Sequence, residues 1–179
     1  MSDRKELEKL FRKHGYSDFK WIDPKKIVIS QWVRMKCTFG CRNFGKSGCC
    51  PPETPSVDEC ERFFHEYQDA VIFHFEKKVK KPEDRHAWTA TINKKLLELE
   101  REVFLAGNRK AFLLFMDSCE LCKECAASRR DCYNKKGARP APEAMAMDVF
   151  ATVEAVGYPI EVLTNYKQAM NRYAFLMVR

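Results

Sequence analysis

Three cysteines at Cys119-Glu-Leu-Cys122-Lys-Glu-Cys125, followed by Cys132, form a C-x2-C-x2-C-x6-C run. A thiolate triplet at this spacing lets three sulfurs converge on one small inorganic site within a tight loop. The bacterial ferredoxin run C-x2-C-x2-C-x3-C-P is the nearest template. Here the fourth cysteine comes three residues later and no proline follows it. The spacing therefore points to a metal or iron–sulfur site more strongly than to ferredoxin itself.

A second group lies upstream, in Cys37-Thr-Phe-Gly-Cys41-Arg-Asn-Phe-Gly-Lys-Ser-Gly-Cys49-Cys50-Pro51-Pro52. Its C-x3-C pair suits zinc or iron, and its glycines let the chain fold closely round a site. Neighbouring side chains in extended backbone point opposite ways, so only one of Cys49 and Cys50 is expected to face a given site. Cys50 is favoured, because Cys-Pro ends the ferredoxin motif and proline stiffens the chain there. The cofactor ligands expected are thus Cys37, Cys41, Cys50, Cys119, Cys122, Cys125 and Cys132. Seven is one short of two four-cysteine sets. Either Cys49 supplies the eighth metal ligand, or one metal keeps an open position where a further ligand can bind.

The ninth cysteine, Cys60, follows a Ser56-x-x-Glu59 capping box and shares a helical stripe with Phe63, Phe64 and Tyr67. It reads as a core residue. His14 and His74 likewise read as packed histidines rather than ligands.

Composition bounds the class. The chain has 179 residues, 45% of them hydrophobic, enough for one α/β domain over 1–179 with cysteine-rich loops 37–52 and 119–140. No apolar run nears the roughly 18 residues of a membrane span, and the first residues lack the apolar core of a signal peptide. A cytoplasmic protein is expected, with no membrane partner. Nine cysteines without an export signal argue for metal binding rather than disulfides. The formal charge of +7 counts every thiol as neutral. A [4Fe-4S] cluster with four thiolates carries about −2, so two would lower the total to about +3. Arg129, Arg130, Lys135, Lys136 and Arg139 can offset that charge or dock an acidic redox partner, and nucleic acid is not an expected partner.

The elements that must place the cysteines follow from periodicity. Helices are expected over 3–14, from Ser56 to about Tyr67, along Trp88, Ile92, Leu96, Leu99 and Val103, and from Pro142 to Gly157. Strands are expected at Phe19–Trp21, Ile27–Val33, Ala70–Phe75, Ala111–Met116, Ile160–Leu163 and Tyr173–Val178. The strand–long helix–strand run from Ala70 to Met116 predicts a mixed, largely parallel sheet flanked by helices. Both cysteine groups would then follow strands, and loops at the carboxyl ends of parallel strands share one edge.

Several stretches carry a resemblance. They are Trp32-Val-Arg-Met-Lys-Cys37 through Cys50-Pro-Pro52, Phe104-Leu-Ala-Gly107, the Cys119-x2-Cys122-x2-Cys125 run, Arg139-Pro140 through Met147-Asp148-Val149-Phe150, and Glu161-Val-Leu-Thr through Asn171-Arg-Tyr173. The chain resembles a family of small prokaryotic proteins, found largely in anaerobes and methanogens, described as predicted metal-binding proteins of unknown function. The resemblance implies bound metal, with iron–sulfur as the expected form. Cys49 is not part of the family pattern, which again favours Cys50. It supplies no reaction and no catalytic residue.

The expectation is an iron–sulfur protein of the [4Fe-4S] type, with one or two clusters, acting in electron transfer or as a redox accessory of a partner enzyme. The alternatives are a zinc-stabilised interaction module, and an enzyme using the open iron of a three-cysteine cluster. Zinc modules use separated cysteine pairs, so the unbroken triplet tilts the reading to iron–sulfur. No hydrolase triad, P-loop or dinucleotide fingerprint is present.

Overall fold

Asp3 and Glu6 close a reciprocal capping box on the first helix, α1 (Arg4–Lys13), whose Leu7 and Phe11 are buried. The computed structural model describes residues 3–165 and 168–179. Strand β1 (Phe19–Ile22) follows, then α2 (Gln31–Gly40) and α3 (Val57–His65). Strand β2 (Ala70–Lys77), the long α4 (Pro82–Leu105), β3 (Phe112–Leu114), the short α5 (Val149–Glu154) and β4 (Met170–Met177) complete the order.

The four strands form one sheet in the order β1-β2-β4-β3, and every pairing is antiparallel. The expected mixed, largely parallel sheet is therefore corrected. The long helix does join two strands that run the same way, β2 and β3. However, β4 inserts between them and reverses both contacts, giving a split β-α-β arrangement. The apolar runs were a poor guide to direction. They report burial on both faces, which helices on either side impose on a central strand of any sense.

Alternation along β2 and β4 shows this directly. Val71, Phe73, Ala174 and Leu176 face α1 and α4, packing with Phe11, Leu96, Leu99 and Val103. Ala70, Ile72, Phe175 and Met177 face α3 and α5, packing with Phe64, Val149 and Val153. Cys60 is fully buried in this second layer, beside Met145.

Two further expected strands are corrected. Ile27–Val33 makes a single bridge, Ile29 to Met147, before α2 starts at Gln31. Its backbone is instead taken up by the α5 region. The Val28 N–H donates to Thr152 Oγ1 and the Ser30 N–H to the Ala146 carbonyl. Ile160–Leu163 carries no strand. The expected helix from Pro142 to Gly157 divides into a 3-10 turn at Glu143–Met145, a left-handed Ala146 and then α5.

Candidate metal centre

Helix α2 carries Cys37, and Cys41 caps its carboxyl end. Val33 is buried beneath it. The Arg34 guanidinium fixes the outer side by donating to the carbonyls of Pro55 (2.9 Å) and Ala144 (3.2 Å). Cys37 and Cys41 thus sit at a helix end, not after a strand as expected, because the Ile27–Val33 stretch is absorbed elsewhere. Beyond Cys41 the loop closes on itself. The Gly45 N–H donates to the Pro51 carbonyl at 3.1 Å, with Gly45 in the left-handed region at φ 71°, and the Cys50 N–H donates to the Ser47 carbonyl.

The second loop leaves β3 and has no helix or strand from 117 to 139. Helix α4 grips both of its ends. At the start, the buried Asn93 side chain accepts from the Met116 N–H (3.1 Å) and donates to the Met116 carbonyl (2.9 Å). At the end, the Arg139 guanidinium forms a two-pronged pair with the buried Glu100 carboxylate, both contacts at 2.9 Å, and Glu100 also accepts from the Leu113 N–H. Asn93 and Glu100 are two turns apart on one face of α4. The two loops meet where Gly48 abuts the Ser128 backbone and where the Arg129 N–H donates to Glu53 at 2.7 Å.

This scaffold divides eight thiols into two groups. Cys37, Cys41 and Cys50 line a cleft of about 180 Å³ together with Asp117, Ser118 and Glu143. Cys49, Cys119, Cys122, Cys125 and Cys132 line a narrow cavity of about 20 Å³. The consecutive residues Cys49 and Cys50 line different groups, and they do so from a turn closed on Ser47 rather than from the extended backbone expected. Cys49 thus joins the C-x2-C-x2-C-x6-C run, giving three thiols and five rather than four and four.

Burial pushes the Cys37 and Cys50 thiols up, the latter against hydrogen bonds with Ser47 and Ser118. Cys119 behaves oppositely. A hydrogen bond with Cys49 pulls its thiol down against burial, assisted by backbone N–H groups of Leu121 and Arg139 and the charge of Arg129. Cys49 is raised by the same contact and by burial. The two thiols of this pair are thus shifted in opposite directions by their contact. Of the cations expected near the loop, Arg139 is committed to Glu100 and Arg130 pairs with Asp131, while Lys135 and Lys136 are exposed.

The sequence profile of the family described as predicted metal-binding protein (DUF2284) matches residues 20–178, a span that includes all nine cysteines. The chain belongs to this family. As a member of the predicted metal-binding family, the protein has both thiol groups, and the α4 residues that hold them, inside the matched span. Comparison with the curated proteins and with the solved structures found no match. Among the described residues, no three His, Cys, Asp or Glu side chains are arranged to hold a single metal ion. No helix among the described residues is long and apolar enough to cross a membrane.

Sequence reasoning did not single out Asp117, Ser118 and Glu143 beside the first group, nor Asn93 and Glu100. The last two had a signal. They are polar residues set among the apolar stripe of a long helix, where burial demands a partner.

Proposed function

We propose that the protein binds iron–sulfur clusters of the [4Fe-4S] type at both thiol groups and exchanges electrons with a partner protein. The division of the consecutive residues Cys49 and Cys50 between the groups carries this reading. It leaves a single peptide unit between two thiol-lined sites, a short covalent route for an electron. Cysteine thiolates are the ligands such clusters take, and hydrogen bonds to the ligand sulfurs tune their potential.

Cys119, Cys122, Cys125 and Cys132 would hold one cluster, with the Cys49 thiol donating to the Cys119 sulfur. Cys37, Cys41 and Cys50 would hold the other through three thiolates, with Asp117 and Glu143 at the remaining side. Thiolate binding requires the raised thiols of Cys37 and Cys50 to lose protons, so loading releases protons. The first cleft has room beside its thiols. The second, at about 20 Å³, has room for about one water-sized sphere. Filling it requires the 117–139 loop to widen, and the absence of helix or strand in that loop permits this.

That narrow cavity is also the observation favouring a second reading, a zinc-stabilised interaction module, since one ion needs less space. One experiment separates the two. After anaerobic purification, iron, sulfide and zinc are quantified per chain and the visible spectrum is recorded. About eight irons and eight sulfides, with sulfur-to-iron charge-transfer absorption, is the expected result for two four-iron sites. A colourless protein with stoichiometric zinc and no sulfide overturns the redox reading.

A further inference from the structure

A second cleft, of about 490 Å³, lies beside the first thiol group and contains no cysteine. Three arginines line it, Arg42, Arg85 and Arg172. Its volume is that of a small-molecule site.

The arginines are incompletely used. Arg85 and Arg172 both direct Nε toward Oδ2 of Asp117, at 3.4 and 3.8 Å. All three atoms are shielded from solvent, and none has a hydrogen-bond partner among the described residues. Two cations therefore share one carboxylate without closing a hydrogen bond to it, and each guanidinium carries further N–H groups. Buried polar atoms left in this state call for an explanation. Arg42 is exposed and has no ion-pair partner among the described residues. The carboxylate of Glu161 on this wall is exposed, where water and salt screen it. Burial pushes the nearby Glu143 carboxyl up, and it interacts with the charges of Asp117, Arg172 and Arg85. His86 is engaged with Glu120 at 2.6 Å. Thr164 supplies a hydroxyl on the same wall. Asp117 has a left-handed backbone at φ 62° and lines the thiol cleft, and its carboxylate meets Arg85 and Arg172 of the arginine cleft, so this contact lies between the two spaces. Non-glycine residues in that conformation gather at ligand clamps.

We infer that this cleft binds a small organic molecule through an oxyanion, a carboxylate or a phosphate, held in the forks of Arg42, Arg85 and Arg172. Planar guanidinium groups are suited to two-pronged oxyanion recognition. The site needs no metal, so it stands whether or not the thiol groups hold clusters. If they do, the ligand lies next to the three-thiol centre, separated from it by Asp117.

Isothermal titration of the purified chain with citrate, with inorganic phosphate and with sodium chloride at matched ionic strength tests this. Saturable binding of citrate or phosphate but not chloride is expected, in metal-loaded and metal-free protein alike. The stronger probe identifies the source of the oxyanion. Arg42→Gln and Arg172→Gln should each weaken that binding about tenfold or more. Arg42 is exposed and has no ion-pair partner among the described residues, so its variant should fold normally by circular dichroism, which keeps the test valid should Arg172→Gln unfold. No binding beyond that of chloride, or binding unaltered in Arg42→Gln, overturns the inference.

Discussion

Asn93 holds both backbone groups of Met116, accepting from its N–H at 3.1 Å and donating to its carbonyl at 2.9 Å. Both residues are buried, and Asp117 and Ser118 of the first thiol cleft follow at once in the chain. Replacing Asn93 by Ala would strand a buried donor and a buried acceptor at the root of the cysteine loop. Each such orphan costs about 1–3 kcal/mol. Asn93→Ala should therefore lower stability by about 2–5 kcal/mol in denaturant titration and should reduce metal content at sub-denaturing temperature. A variant with unchanged midpoint would show that the clamp is dispensable.

Gly48 fixes the approach of the two loops. A Cβ there would lie 2.7 Å from the Ser128 carbonyl oxygen and 2.8 Å from its carbon, both backbone atoms. The constraint is steric rather than conformational, so Gly48→Ala must push the loops apart. A loss of about 1–3 kcal/mol is expected, as for overpacking, with both centres losing metal together. Gly40→Ala is the control, since nothing lies within 4 Å of its Cβ. It should leave metal content unchanged and stability equal or raised by up to about 1 kcal/mol.

The sequence announced the helix ends by mechanism. The capping boxes Asp3–Glu6 and Ser56–Glu59 both close as their spacing requires, and the i+4 stripe of Trp88 to Val103 becomes α4. Sheet direction was not legible, because β4, which reverses the pairing of β2 and β3, comes last in the chain. The Ile27–Val33 stretch reads as a strand by its β-branched and aromatic content. Its tertiary partners, Thr152 and Ala146, are over a hundred residues away and could not be seen. The two cysteine loops were expected to meet at the ends of parallel strands. They are neighbours for another reason, the docking of α2 through Arg34 and of the second loop through Asn93 and Glu100. The three-and-five division of thiols depends on which way Cys49 turns within its loop, and spacing does not encode that.

Cys49 and Cys50 should respond differently to substitution. With Cys50 as a ligand of the first group, Cys50→Ser should remove about four irons per chain. With Cys49 donating to Cys119, Cys49→Ala should retain iron and lower the reduction potential of the second cluster, because the lost hydrogen bond no longer offsets the charge of the reduced form. Protein-film voltammetry beside iron analysis reads both effects. Loss of iron in Cys49→Ala would instead make Cys49 a ligand. Cys60→Ala should keep full metal content, since Cys60 lies in the core away from both groups, at a cost of roughly 1 kcal/mol.

Asp69 gives the fold an acid-sensitive joint. Burial raises its carboxyl pKa, but hydrogen bonds from Arg4 and Arg179, and their charges, outweigh this and hold it below the usual carboxylate range. A carboxyl depressed in the folded state stabilises the protein above the unfolded pKa of about 3.9 and ceases to do so as pH falls through its folded value. Asp69→Asn should therefore be less stable than the parent at neutral pH by about 1.5–3 kcal/mol, the worth of hydrogen bonds to a charged group. The gap should stay constant down to about pH 5 and close below about pH 4. Urea midpoints of the two proteins measured across that range check it. A gap that persists undiminished in acid would mean that Asp69 acts through packing and the shape of its hydrogen bonds, and that its charge contributes nothing to joining Arg4 of α1 to Arg179 beyond β4.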